Sequence, residues 1–143
     1  MTCKPAFFVL FYSLLFPAAS FGATNLKNVC PARIETSQSP RKIPEGWTPV
    51  LEGGPSILTN AGFYDGHPEQ LAELAPSKSK STRRELVNDW SFSTAHNGSI
   101  WIKCIYSNTG LSLARQLDKD ISSCSISYDA RHAPFSIADI TCK

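Results

Sequence analysis

The sequence has little charge and no long apolar run, and both absences narrow what the chain can do. Only 18% of its 143 residues are charged, and 14 lysines and arginines nearly balance 12 aspartates and glutamates. Binding to the phosphate backbone of nucleic acids needs a concentrated basic surface, which this balance does not supply. We also find no internal repeat. We therefore expect one globular domain that does not bind nucleic acid.

The motifs of common catalytic sites are also missing. The sequence contains no Gly-x-Ser-x-Gly, no His-Glu-x-x-His and no glycine-rich phosphate loop. No two cysteines have the short spacing of about two to four residues that is typical of zinc sites. The sequence therefore predicts no metal, no cofactor and no catalytic residue. One alternative is a hydrolase in which Asp65 orients His67, but an Asp-Gly pair more often serves the turn itself.

The longest apolar run is Pro5–Phe16, which follows Lys4 and ends at Pro17. A helix that crosses a bilayer needs about 20 apolar residues, so this run is too short to be a membrane span. A basic start, a short apolar run and small residues between Ser20 and Ala23 are typical of a signal peptide. We predict a signal peptide at residues 1–23 and one exported domain at residues 24–143, periplasmic or secreted.

Four cysteines remain after the signal peptide: Cys30, Cys104, Cys124 and Cys142. An even number of cysteines in an oxidising compartment predicts two disulfides, for which three pairings exist. We favour Cys30 with Cys142 and Cys104 with Cys124, because the first bond would tie the two ends of the domain together. Each bond would stabilise the fold by about 2 to 4 kcal/mol.

Turn residues separate short runs of aromatic and β-branched residues, and almost no helical period is present. The sequence predicts a mainly β fold, a small antiparallel sandwich or curled sheet with at most one short helix, stabilised by disulfides. The candidate helix is Pro68–Leu74. Loops are predicted at Ser37–Gly46, Glu52–Ser56 and Pro76–Thr82. Strands are predicted at Ala32–Thr36, Trp47–Leu51, Ile57–Tyr64, Leu86–Thr94, Ile100–Tyr106, Ser122–Tyr128 and Ser136–Cys142.

Two turns predict hairpins. Asn97-Gly98 is typical of a type I′ turn, which would pair Leu86–Thr94 with Ile100–Tyr106. A three-residue turn at Asn108–Gly110 would then add a strand on the other side of Ile100–Tyr106. Applied together, the two turns place one set of large apolar side chains on a common core face: Trp90, Phe92, Trp101, Ile105, Leu113 and Leu117.

Several motifs follow one another along the chain: Cys30-Pro31, Gly46-Trp47, Phe63-Tyr64-Asp65-Gly66-His67-Pro68, Leu74-Ala75-Pro76, Trp90, Trp101-Ile102-Lys103-Cys104-Ile105-Tyr106, Cys124 and Cys142. In this order they resemble a family of small exported proteobacterial proteins of unknown function. The resemblance implies a periplasmic or secreted setting. It carries no activity and no functional residues.

The sequence favours a non-catalytic binding protein of the inhibitor or immunity type, which meets a periplasmic or extracellular protein through its loops. The candidate binding residues are Tyr64, Asp65 and His67, because rigid turns that carry aromatic residues make good protein contacts. The competing interpretation is that Tyr64 packs in the core and the turn only reverses the chain. A second alternative is a cleft for a cell-wall saccharide or a lipid, lined by Trp47, Trp90 and Trp101.

Overall fold

The computed structural model describes residues 26–50, 54–93 and 99–143. The predicted signal peptide and the Asn97-Gly98 turn lie outside the described residues. The described residues form one 3₁₀ helix, Pro68–Gln70, and nine β strands: β1 (Leu26–Lys27), β2 (Arg33–Ile34), β3 (Ser56–Asp65), β4 (Lys78–Ser81), β5 (Glu85–Ser91), β6 (Ile100–Tyr106), β7 (Ser112–Gln116), β8 (Ser123–Asp129) and β9 (Ser136–Cys142).

The strands form two antiparallel sheets, which confirms the predicted fold class. One sheet has five strands in the order β1-β9-β8-β5-β4, and the other has four in the order β2-β3-β6-β7. Buried side chains from both sheets form a single core cluster. At its centre Phe63 from β3 lies against Trp90 from β5, with ring centroids 4.9 Å apart.

The alternation of apolar and polar residues explains why these segments form strands with one buried face. In β8, Cys124, Ile126 and Tyr128 are buried, while the serines between them are only partly buried. Successive side chains of a strand point to opposite faces, so this pattern turns one face of β8 towards the core. Ile102, Cys104 and Tyr106 form the matching inner face of β6.

The disulfides do not pair as predicted. Cys30 is bonded to Cys104, and Cys124 is bonded to Cys142. The favoured pairing was wrong because it considered the ends of the chain and not strand register. β8 and β9 are antiparallel neighbours in which Cys124 lies directly opposite Cys142. Cys104 lies in the other sheet, where it holds the segment after β1.

The predicted hairpin of the fifth and sixth strands is wrong. β5 pairs with β4 and β8, while β6 pairs with β3 and β7 in the other sheet. A turn motif describes only two residues, whereas partner choice depends on the whole strand face. The predicted core set is therefore divided: Trp90 is buried, but Trp101 lies half-buried on the outer face of β6.

The second predicted hairpin is present with its register displaced by one residue. Ile105 lies opposite Ser112, not opposite Leu113. Asn108 takes the left-handed conformation in this turn, with φ 57°. Since a slip of one residue exchanges the faces of a strand, Leu113 does not join Trp101, and it is exposed. Leu117, just beyond the strand, is buried.

Of the remaining predictions, some strand bounds are confirmed and other elements differ from what was predicted. β9 has the predicted bounds, and β3 and β8 differ from the predicted strands by one residue at each end. The predicted helix shortens to Pro68–Gln70, because Leu71 takes a left-handed φ of 57°. The predicted strand at Trp47–Leu51 is wrong over its described part, residues 47–50, where Pro49 cannot donate a ladder hydrogen bond. The predicted loop at Pro76–Thr82 contains β4, an edge strand whose exposed lysines disfavour pairing with other chains.

Candidate functional site

The turn after β3 positions the predicted site residues. Gly66 has a φ of +86°, a region that favours glycine, and its N–H donates to the carbonyl oxygen of Ser99 at 2.8 Å. His67 is the N-cap residue of the 3₁₀ helix, and its Nδ1 accepts a hydrogen bond from the N–H of Glu69 at 3.4 Å. The turn therefore fixes the backbone on which the His67 side chain is carried.

Tyr64 lies on the outer face of β3 but is only 6% exposed. Burial, followed by the charge of Glu73 and a hydrogen bond with it, raises the pKa of the Tyr64 phenol. The Lys103 Nζ lies 5.9 Å from the centre of the Tyr64 ring. The neighbouring Gly62 leaves room for Glu73, since a Cβ there would lie 2.8 Å from its Oε1.

His67 lies beside an aromatic residue that sequence analysis had assigned to the core. Its ring meets the Trp101 ring edge-on, with centroids 4.7 Å apart and planes at 74°. The Trp101 Nε1–H donates to Ser99 Oγ at 3.0 Å, which holds the indole in place. The His67 side chain is 45% exposed, so one side of the pair faces solvent.

We define the sheet-face cluster as the residues that these contacts join on the outer face of the four-stranded sheet. The structure thus brings Tyr64 and His67 together, with half-buried Asp65 between them in the chain. Sequence analysis missed Glu73, Trp101 and Lys103, because their positions depend on long-range pairing. β3 pairs with β6, which carries Trp101 and Lys103, and Tyr64 forms an isolated bridge with Glu73. The members are Tyr64, His67, Glu73, Trp101 and Lys103.

In the part of the chain that the structure describes, His67 contacts Glu69 and Trp101. The Nδ1 of His67 lies 3.6 Å from the exposed carboxylate of Glu69. In the same part of the chain, no group of three or more histidine, cysteine or acidic residues is arranged to hold a metal ion.

Trp47 lies apart from the sheet-face cluster, on the extended segment between β2 and β3. It is 75% exposed and borders an open groove of about 380 Å³. Neither Tyr64 nor His67 lines this groove. The groove is lined by a single stretch of chain, namely Pro40, Lys42, Ile43, Pro44, Trp47, Thr48 and Pro49.

A second cavity, of about 430 Å³, opens beside the two sheets. Trp90 lines it, with its Nε1–H donating to the carbonyl oxygen of Leu74 at 2.8 Å. Tyr128 donates to Asn60 Oδ1 at 3.0 Å across the gap between the sheets. Trp47 and Trp101 do not line this cavity, so the three tryptophans of the predicted saccharide or lipid cleft do not meet in it.

The chain is similar in sequence to a known protein. It is 25% identical over 127 residues to the "uncharacterized 16.3 kDa protein in trpG 5′ region" of Azospirillum brasilense, covering 85% of this chain and 84% of that protein. No solved structure matches the chain. None of the described helices is long and apolar enough to cross a membrane.

A protein family also matches, over residues 53–143, and its description is "Type VI secretion system Tli immunity protein". The matched region includes strands β3 to β9 and therefore most of both sheets. The chain belongs to the family of type VI secretion system Tli immunity proteins.

Proposed function

We propose that this protein is an exported immunity protein that neutralises a toxic effector protein by binding to it, without chemistry of its own. The family match over residues 53–143 is the observation that carries the proposal. The family is one of immunity proteins, and immunity implies a protein effector as partner. The finer points concern location, mode of action and contact surface, and each has its own support.

The cysteines support export. All four cysteines of the described residues are in disulfides, Cys30 with Cys104 and Cys124 with Cys142. Disulfides form and persist in the periplasm and outside the cell, and they are rare in the cytoplasm. The predicted signal peptide at residues 1–23 agrees with this location. Meeting the effector after export would protect the cell before the effector acts.

The sheet-face cluster supports action by binding. Tyr64 and Trp101 are held by hydrogen bonds before any partner arrives, so little side-chain freedom is lost on binding. His67 and Trp101 offer an aromatic surface, and Lys103 and Glu73 offer both signs of charge next to it. Aromatic anchors with polar neighbours are common at protein interfaces. We therefore propose that Asp65 and His67 lie in the contact with the effector, and that Tyr64, only 6% exposed, supports this surface from beneath.

Survival in mixed culture tests the proposal. Recipient cells that lack this protein are grown against attacking cells of the same strain, with either an active or an inactivated type VI secretion system. We expect at least tenfold lower survival against active attackers only, and full rescue by the complete chain. A chain without residues 2–23 should not rescue, because it would remain in the cytoplasm.

The partner is then isolated with the purified, oxidised protein. We expect one protein in a stoichiometric complex that is toxic when produced in recipients without the immunity protein. Equal survival with active and inactivated attackers would contradict the proposal. Rescue by the chain without residues 2–23 would contradict its exported location.

A further inference from the structure

The segment Ser37–Val50 exposes apolar side chains that a free surface would normally avoid. Every residue in it is exposed, including Trp47 at 75% and Val50 at 83%. Ile43 lies among them and is 46% exposed. Scattered apolar residues are ordinary on protein surfaces, but a contiguous patch around a groove marks a binding site. We call this segment the proline-tryptophan arm.

The arm is anchored near its N-terminal end to the turn between β6 and β7. Gln38 Nε2 donates to the Asn108 carbonyl oxygen at 3.2 Å, and Gln38 Oε1 accepts from the Gly110 N–H at 3.4 Å. Nearby, the hydroxyls of Thr36 and Ser56 are 3.2 Å apart.

The arm is stiffened within its own length. Pro40, Pro44 and Pro49 each restrict the backbone to a narrow range of φ. Gly46 turns the chain with a φ of +80°, and the Trp47 N–H donates to the Pro44 carbonyl oxygen at 3.2 Å. An arm restrained in this way loses little conformational entropy on binding, so the exposed indole is presented ready for contact.

We propose that the proline-tryptophan arm is a docking site for the effector, and that it receives an apolar side chain on an effector loop flanked by carboxylates. This inference rests on the proposed function and names a surface for it. The charged residues of the arm are Arg41, Lys42 and Glu45, so its charge is positive, and Lys42 lines the groove itself. The same charge argues against a second copy as occupant, since two facing arms would bring Arg41 and Lys42 of each copy together.

The bounds of the family match are compatible with a role of the arm in partner choice, although the alignment with the Azospirillum brasilense relative spans the arm. The match begins at residue 53, so the arm lies outside it. The shared sheets can thus act as the scaffold, while a segment next to them sets which effector is bound. Specificity between related partners depends on differences of this kind rather than on the common framework.

Binding of the effector isolated in the survival experiment tests the inference. Trp47→Ala should raise the dissociation constant about 30-fold, as expected when an aromatic anchor that is buried in the complex is removed. Phe135→Ala is the matched control, because Phe135 is a 48% exposed aromatic residue that does not line the groove. It should change the constant by less than about threefold. Lys42→Glu should weaken binding about tenfold at low salt and less at high salt.

Folding is checked in parallel, since an exposed Trp47 predicts an unchanged thermal midpoint for Trp47→Ala. A dissociation constant within threefold of wild type for a folded Trp47→Ala would overturn the docking site and leave the proposed function standing if the wild-type chain still protects. A wild-type chain that neither protects nor binds would overturn both. The protein alone could also form a dimer that the Trp47→Ala substitution dissociates. That result would assign the arm to a second copy and would overturn the inference.

Discussion

The imidazole ring of His67 stands edge-on against the indole ring of Trp101, with centroids 4.7 Å apart. The contact joins the turn after β3 to the outer face of β6, two parts of the chain that are distant in sequence. The contact places an aromatic site on this face of the sheet. The His67 side chain is 45% exposed, and the Trp101 indole is held by its hydrogen bond to Ser99.

His67→Ala should remove this contact with little effect on folding. An aromatic pair contributes about 0.5 to 1.5 kcal/mol, and the exposed position of His67 places the loss at the lower end. Effector binding should weaken about tenfold if the pair lies in the interface. His67→Phe should keep most of the affinity because the edge-on packing survives. Isothermal titration of both variants measures the difference, and equal binding by His67→Ala would remove the pair from the interface.

Phe63→Ala should destabilise the protein by about 3 to 5 kcal/mol, because it leaves a cavity in a close-packed core. Phe63 is fully buried and contacts both Trp90 and Phe92. Ile57→Ala in the same strand is the control, since Ile57 is 44% exposed and its loss should cost less than about 1 kcal/mol. Urea unfolding followed by fluorescence measures both. Similar values for the two variants would contradict the described core.

Non-reducing peptide mapping should recover Cys30 with Cys104 and Cys124 with Cys142. The first bond closes a loop of 74 residues and the second a loop of 18. On the loop-entropy account, removing the first pair should cost about 4 kcal/mol and removing the second about 3 kcal/mol. Denaturant unfolding of two variants, each with both cysteines of one pair changed to serine, tests which bond contributes more to the free energy of unfolding. A fragment that joins Cys30 to Cys142 would contradict the structure.

Alkaline pH should destabilise the protein through its tyrosines. Burial raises the pKa of Tyr64, Tyr106 and Tyr128, because it disfavours the charged phenolate. The folded state therefore holds these protons more tightly than the unfolded state. The resulting stability is fully present below a pH of about 10 and is lost as the pH rises through the raised values. Phenolate absorbance and unfolding midpoints between about pH 8 and pH 12 measure it. Titration of all three phenols at the ordinary pKa in the folded protein would contradict the prediction.

Local patterns predicted the strands better than their partners. β6 and β9 have the predicted bounds because alternation and flanking turns are local features. The pairing of β5 with β8 was missed because it depends on Cys124, Ile126 and Tyr128, which lie far along the chain from Trp90. A two-residue turn motif has less influence on the choice of partner strand than a complete buried strand face.

The same reason limits what could be predicted of the site. The Asp65-Gly66 turn and the exposed His67 follow from turn chemistry. Trp101 could not be placed beside His67, because that contact requires the pairing of Tyr64 with Trp101 across β3 and β6. Of the predicted core set, Trp90 is buried and Trp101 is only half-buried, while Trp47, which the sequence placed in the candidate cleft and not in the core, is 75% exposed.

The order of the cysteines along the polypeptide has a consequence for maturation. Without the proposed signal peptide at residues 1–23, the first cysteine of the chain is bonded to the second and the third to the fourth. In the proposed export from the N terminus, Cys104 is the first thiol that Cys30 can meet. Cys124 emerges next, and Cys142 follows it 18 residues later. An oxidase that joins thiols as they emerge would form both native bonds directly, so this protein should mature in cells that lack a disulfide isomerase.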